Sequence, residues 1–369
     1  MKTSLVPLKK IVKIHYGKAL KAGDRDETGQ FPVFGSSGQV GTHDKNLIDY
    51  PTLIIGRKGS VGKVTYAESG GWAIDTAFYT EFIQANEVDL RYFFYALKNT
   101  DLARWTITTS IPGLNRDDLY STEISLPPLE EQKRIAAILD KADRVRRKRQ
   151  EAIRLTEELG RSIFLDMFGD PVTNPRGWKI VKLNDVCNRI TDGTHQSPTW
   201  STEGIPFLFV SNIVDGEIDF NVSKYIDNQS WKDLTSRCLI ELNDILYTTV
   251  GSYGNAALVR TTSKFCFQRH IAHIKPNISK IHPEFLLGLM QSDGIRKQAD
   301  RQARGVAQKT LNLRELKAFQ VFLPPTDLQE KYVSTRKRTE MQLKKQKDAL
   351  KESENLFNSL LQRAFRGEL

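Results

Sequence analysis

Leu126-PPLEEQKRIAAILDKAD and, 197 residues later, Leu323-PPTDLQEKYVSTRKRTE decide the reading of this chain. In each, a Leu-Pro-Pro break, which a helix interior does not tolerate, precedes some forty residues without proline: Leu129 to about Phe168 and Thr326 to about Phe365, with Gly160 the only interior glycine. Each run predicts one helix, spanning roughly 60 Å at about 1.5 Å per residue. Stepping by fours and threes along the second collects Tyr332, Arg336, Thr339, Leu343, Gln346, Leu350, Ser353, Phe357, Leu360 and Ala364. Subtracting 197 collects Ile135, Leu139, Ala142, Arg146, Arg149, Ile153, Thr156, Gly160, Ile163 and Met167. This is a heptad seam with a polar middle, too weak for a freestanding coiled coil but adequate for two helices packed on each other in one register.

Working outward, the rest of the chain also repeats. Val6-Pro7-Leu8 recurs as Val181-Lys182-Leu183 at an offset of 175, and Gly59-Ser60-Val61-Gly62 as Gly251-Ser252-Tyr253-Gly254 at 192. Asp89-LRYFFYALKN matches His282-PEFLLGLMQS at 193, and Leu114-Asn115, Gln132 and Phe168 match Leu311-Asn312, Gln329 and Phe365 at 197. The offset climbs and then stays constant, so the second copy carries about 22 extra residues in its globular part and none in its tail. Thr52 to Ile55, Val61 to Tyr66 and Ile74 to Phe82 predict strands, answered by Ile245 to Thr249, Ala256 to Arg260 and His270 to Ile274. Asp89 is placed to cap a short helix with Tyr92, Phe93 and Tyr95 on its aromatic face, and Pro283 suits the first position of its equivalent.

At 369 residues the chain is long enough for two or three cores. No apolar run approaches the length of a membrane span, and Lys9 and Lys10 fall where a signal peptide needs its apolar stretch, so a cytoplasmic location is expected, with no membrane partner. Cys187, Cys238 and Cys266 form neither a zinc pattern nor an even-numbered disulfide framework, and read as small buried hydrophobes. The net charge of +10 partitions as +1 over 1–128, +1 over 129–170, +5 over 171–325 and +3 over 326–369, a spread that suits a polyanionic partner. No Asp/Asn-Pro-Pro-Tyr/Phe methyltransferase motif is found. Gly56-RKGSVGK is one residue too long for a phosphate loop and has Val64 where a magnesium-binding hydroxyl belongs, so strand-turn-strand fits it better. His270 and His273, three apart on an expected strand, point to opposite faces, which disfavours a metal pair. No catalytic or metal-ligating residue is assigned.

Several stretches together resemble a known family, the specificity subunits of type I restriction-modification systems. They are Tyr50-PTLIIGRKGSVGKV with Trp72-AIDTAFY, Leu126-PPLEEQKRIAAILDKAD, Ser162-IFLDMFGDPVTNPRGW, Thr191-DGTHQSP, Gly204-IPFLFVSNI and the terminal Arg363-AFRGEL. The resemblance covers essentially the full chain; the first domain departs from its partner by being the shorter one. It implies an α+β fold: two mixed α/β target-recognition domains joined by two long antiparallel coiled-coil helices in a pseudo-twofold repeat. The domains expected are recognition domain 1 at 1–128, a central long helix at 129–170, recognition domain 2 at 171–325 and a C-terminal long helix at 326–369. It further implies a subunit without chemistry of its own that reads a bipartite asymmetric target on double-stranded DNA. Such a subunit positions two modification (methyltransferase) subunits and can recruit restriction subunits. S-adenosylmethionine would sit in the modification subunit, and no cofactor in this chain. The fixed helix offset makes the helices candidates for a ruler of the spacer between half-sites and a scaffold for partners.

If both globular parts read DNA, base-edge donors and acceptors belong on loops, with Lys and Arg around them for phosphates. The first offers Ser36, Ser37, Gln39 and His43, then Arg57, Lys58, Ser60 and Lys63 on a hairpin tip, and Thr108, Thr109, Ser110 and Asn115 before the break. The second offers Thr191, Asp192, Thr194, His195, Ser211, Asn212, Thr248, Thr249, Ser252, Tyr253, Arg269 and His270. The run Arg296-KQADRQARGVAQK, with Arg296, Lys297, Arg301, Arg304, Gln308 and Lys309 against Asp300, is the best phosphate-contact candidate, although a solvated helix face has the same composition. Glycine-flanked turns such as Gly35-SSG also need no ligand to explain them. The cluster Arg144, Arg146, Arg147, Lys148 and Arg149 reads first as a solvated charge run.

Overall fold

The computed structural model describes residues 5–25, 28–84, 86–107, 113–195, 198–214, 216–236, 238–305 and 308–369. The chain divides into two compact units, Met1–Ala152 with Gln346–Leu369, and Ile153–Lys345, so each unit contains one globular part and a portion of both long helices.

In the first unit, strands Val12–Tyr16, Ala77–Phe82, Thr52–Gly56 and Val64–Ala67 form, in that spatial order, an antiparallel sheet. A smaller sheet places Phe31–Gly35 between Gly38–His43, antiparallel, and Trp72–Ala73, parallel. Leu5–Pro7 pairs with Glu123–Ser125, tying the start of the globular part to its end. The helix Leu90–Asn99 begins where the Asp89 carboxylate accepts the Tyr92 N–H at 2.8 Å, and it buries Tyr92, Phe93, Tyr95, Ala96 and Leu97. That buried face shares a core with Ile135, Ala136 and Leu139 from the first long helix, Leu129–Phe168, and with Phe357 and Ala364 from the second, Thr326–Arg366. The start of one helix thus lies against the end of the other, an antiparallel arrangement.

The second unit repeats the plan. Cys187–Asp192, Ile271–Pro276, Ile245–Thr248 and Ala256–Leu258 make an antiparallel sheet whose spatial order, taken by position in the chain, equals that of the first. The parallel pairing of Ile205–Leu208 with Cys266–Phe267 answers the one in the first unit, and Lys179–Lys182 with Gln320–Leu323 answers the terminal pairing. Helix Pro283–Met290, with proline at its first position, is buried on every side. Its Phe285 ring stands 4.9 Å from Phe168, and Phe164 stands 5.6 Å from Tyr332, so the end of the first long helix and the start of the second meet through aromatic edges.

Two expected strands of the first unit start late. Val61 to Tyr66 becomes Val64–Ala67, because Gly59 and Gly62 adopt φ of +81° and +75° and keep the chain in a turn until Lys63. Gly251 and Gly254 do the same in the second unit, at +72° and +93°. Ile74 to Phe82 shortens to Ala77–Phe82, because the Ala77 N–H bonds the Ile74 carbonyl in a turn. The seam residues Ile135, Leu139, Tyr332, Phe357 and Ala364 are buried, while Ala142, Ile153, Ile163, Met167, Leu343, Leu350 and Leu360 are half-buried. Among the described residues no helix is long and apolar enough to cross a membrane.

Candidate nucleic-acid interface

In both units the same end of the four-stranded sheet gathers exposed polar loops. In the first, Arg57 N–H and Lys58 N–H donate to the Thr76 carbonyl at 2.9 and 3.2 Å, which lays the Arg57–Lys63 turn beside the start of strand Ala77–Phe82. The Lys63 ammonium donates to the Ser37 carbonyl at 2.6 Å, bringing the Ser36–Ser37 turn to the same place. Leu114 N–H donates to the Arg57 carbonyl at 2.9 Å and adds Asn115. Ser36, Ser37, Arg57, Lys58, Ser60, Lys63 and Asn115 therefore converge, although the Asn115 side chain itself accepts the Asp117 N–H at 3.1 Å as a helix cap. Gln39 is exposed on Gly38–His43, and His43 sits at that strand's far end, opposite Phe31 and edge-on to Trp72, away from the cluster. Thr108, Thr109 and Ser110 lie outside the described residues.

A residue that the sequence reading passed over stands in the cluster. The Tyr16 ring is 46% exposed, and the guanidiniums of Arg57 and Arg116 stand 4.9 and 5.2 Å from its centroid. An aromatic face that orients two cations where strands end suits a phosphate or a base. An amphipathic strand closing on tyrosine before Gly17 was its only trace in the sequence, because Arg116 is one hundred residues away.

In the second unit, Thr191 and Asp192 end the first strand, Thr194 bridges to Gln268, and His195 Nε2 lies 2.5 Å from the Asp192 carboxylate. Thr249 N–H donates to the His270 carbonyl at 2.9 Å, and Gly251 N–H to that of Lys309 at 3.0 Å. Arg304 and Thr310 exchange backbone hydrogen bonds, which turns the chain back toward the hairpin tip. His195, Ser252, Arg269, Arg304, Gln308 and Lys309 are exposed at this end. Burial, Arg269 and His195 hold the His270 imidazole below its ordinary pKa, leaving it neutral near pH 7 and able to donate at one nitrogen and accept at the other. Ser211 is exposed beyond strand Ile205–Leu208, whose last carbonyl bonds the Gln268 N–H.

Other members of the set hold loops in place. Thr248 Oγ1 donates to the Ser252 carbonyl at 2.8 Å, and Thr249 Oγ1 to that of His270 at 3.0 Å. Asn212 accepts the Phe209 N–H at 2.9 Å and donates to the Asp219 carbonyl at 3.0 Å, and Tyr253 donates to Asp300 at 2.7 Å. Arg296 bonds the Tyr253 carbonyl at 2.7 Å and stacks on its ring at 4.8 Å, so this arginine joins helix Asp293–Gln302 to the tip. Lys297, Arg301 and Arg304 line a groove that continues to Arg314 and Gln320. In the mid-helix cluster, Arg146 and Arg147 pair with the buried Asp143 at 2.6 and 3.0 Å, and Arg146 also covers Phe357 at 4.9 Å. Among the described residues no group of three or more His, Cys, Asp or Glu is placed to hold a metal.

Two homologous units, each presenting polar and basic loops at the same end of the same sheet, define a two-copy recognition protein. The family model for the type I restriction modification DNA specificity domain matches residues 3–156 and 175–352, one copy on each repeat, and the chain belongs to that family. It is 29% identical over 327 residues to the type I restriction enzyme EcoBI specificity subunit of Escherichia coli, covering 78% of this chain and 67% of that one. It is 21% identical over 305 residues to the MjaIX specificity subunit of Methanocaldococcus jannaschii, covering 77% and 69%. In fold it is similar to the crystal structure of a type I restriction-modification S subunit from M. genitalium, with a TM-score of 0.64 at 16% identity over 99% of this chain and 96% of that one. A chain from a structural study of assembly and conformational transition in the type I system matches with a TM-score of 0.59 at 18% identity, over 100% and 99%.

Proposed function

We propose that this chain is the DNA-reading subunit of a type I restriction-modification complex, in which each unit recognises one half of a bipartite, asymmetric target. The observation that carries this is the pair of sheets of identical strand order, each with exposed polar and basic loops at the corresponding end. The loops differ in sequence between the copies, so the half-sites differ too. Ser252, His195, His270 and Arg269 are the base-edge candidates in the second unit, with Arg304 and Lys309 beside them for phosphates. Arg57, Lys58, Lys63, Ser36 and Ser37 take those roles in the first, together with Tyr16 and Arg116.

The subunit has no catalytic role; its partners are double-stranded DNA, two modification subunits that hold S-adenosylmethionine and methylate adenine, and restriction subunits. It acts in the cytoplasm. The domain limits at residues 128, 170 and 325 place each half-site within one recognition domain, and the uninterrupted helices Leu129–Phe168 and Thr326–Arg366 set the spacer and supply a scaffold for the modification subunits. The test is co-expression with a modification subunit and sequencing of the methylated genome. A methylated adenine in two separated, different half-sites is expected. Methyl transfer by the purified chain alone, or methylation without a bipartite motif, would overturn the reading.

A further inference from the structure

Cys238 follows helix Asn228–Thr235 and is half-buried, its N–H donating to the Thr235 carbonyl at 3.1 Å. Its Sγ lies 3.4 Å from His273 Nδ1, and the other nitrogen of that ring lies 2.6 Å from the Asp244 carboxylate. His273 is 1% exposed and Asp244 4%, so a half-buried thiol meets a buried imidazole that is backed by a buried carboxylate. Lys275 bonds Asp244 at 2.9 Å and Glu241 at 2.8 Å, and Arg189 faces Lys275 across the paired strands. Among the described residues, the charged groups around the sulfur are His273, Lys275 and Arg189 on the positive side, with Asp244 and Glu241 engaged by Lys275. A carboxylate behind an imidazole favours imidazolium, and imidazolium beside a sulfur favours thiolate. Burial alone would lower the pKa of His273, but Asp244 and Cys238 outweigh it and raise it. Burial likewise would raise that of Cys238, but His273, Lys275 and Arg189 hold it below the ordinary thiol value. The other cysteines go the opposite way: burial pushes Cys187 up to about 12 and Cys266 up to about 11.

We infer that Cys238 is a reactive thiolate, oriented by His273 and Asp244, that is modified by small disulfides, while Cys187 and Cys266 stay inert. The Cys238 sulfur attacks one sulfur of the disulfide, a new S–S bond forms as the old one breaks, and the departing thiolate takes the electron pair. Cys238 is oxidised to a mixed disulfide and half of the reagent is reduced, with no further oxidant needed. Acyl transfer fits less well, because the Cys238 N–H already bonds Thr235 and is not directed at an oxyanion.

The test uses the full chain with dithiobis(nitrobenzoate), then glutathione disulfide, across about pH 5 to 9, with peptide mapping of the adduct. One rapid equivalent on Cys238 is expected, about tenfold or more faster than the other two cysteines, with a rate midpoint below about 8.5. Cys238→Ser abolishes that phase, and Asp244→Asn moves the midpoint up and slows the reaction at neutral pH. A rapid phase that survives in Cys238→Ser, or a Cys238 that reacts no faster than its two companions with a midpoint near about 8.5, would overturn the inference. If Asp244→Asn does not fold, the wild-type pH profile and Cys238→Ser decide alone. The inference does not depend on DNA reading, so its failure leaves the proposed function untouched.

Discussion

Gln132 and Gln329 hold equivalent places in the two units: the first accepts the Asp89 N–H at 2.9 Å, the second the His282 N–H at 2.8 Å. Each also donates to the first proline carbonyl of its own Leu-Pro-Pro break, Gln132 to Pro127 at 2.8 Å and Gln329 to Pro324 at 2.9 Å. Each amide, 1% exposed, thus clamps the break and the start of a long helix to the cap of a short one.

Replacing either glutamine with alanine removes the partners of buried backbone groups, which costs about 1–3 kcal/mol. Because the two clamps lie in separate units, the losses in Gln132→Ala and Gln329→Ala should add in the double variant. Urea denaturation of the three variants checks this; equal stability of Gln132→Ala and wild type would show the clamp to be incidental.

Both clamps could be suspected from the sequence, since Gln132 and Gln329 keep the offset of 197, but not their purpose, since the capping residues they hold, Asp89 and His282, lie 43 and 47 residues upstream. The long helices and aromatic short helices were legible because proline breaks and periodic apolar residues are local signals. The middle of the seam was legible only as polar. The aromatic edge of Phe164 and Phe168 on Tyr332 was not, because it depends on which turns of two distant helices meet. The candidate interface was legible as composition, not as placement: Thr248, Thr249, Asn212 and Tyr253 are polar residues in the right loops, yet hydrogen bonds from each of them fix those loops. Tyr16 joins the cluster through Arg57 and Arg116, contacts across 41 and 100 residues that no local pattern encodes.

Asp140 accepts from Arg91 Nε at 3.0 Å and from the Tyr95 hydroxyl at 2.7 Å. Burial alone would raise its pKa, but these two partners outweigh it and hold the carboxyl below its ordinary value. A depressed folded-state pKa contributes stability above the unfolded value of about 3.9 and loses it as pH falls through the folded one. The stability gap between wild type and Asp140→Asn should therefore be constant above about pH 5 and shrink in more acidic solution. Denaturation midpoints at a series of pH values read it directly; a gap that widens in acid contradicts the sign.

Arg304→Ala and Lys309→Ala should weaken binding to all DNA sequences alike, each lowering the magnitude of the slope of log K against log salt by roughly 1. His195→Ala should instead alter preference at one base position and leave that slope unchanged. Salt titrations on matched and mismatched duplexes separate the two classes. The same response from all three variants would show the assignment of bases and phosphates to be wrong.

Four residues inserted between Arg149 and Glu157 lengthen that helix by about 6 Å, close to two base pairs at about 3.4 Å each, and overshoot one helical turn by only about 40°. The methylated motif of this variant should keep both half-sites and gain one or two base pairs of spacer. An unchanged spacer at full activity would mean that the helices are not the ruler.

The most direct test of the account replaces residues 1–125 with the first recognition domain of another specificity subunit and sequences the methylated genome of cells that also carry the modification subunit. One half of the bipartite motif should change to that of the donor, while the half read by the second unit stays as it was. A change in both halves, or in neither, would contradict the assignment of one half-site to each unit.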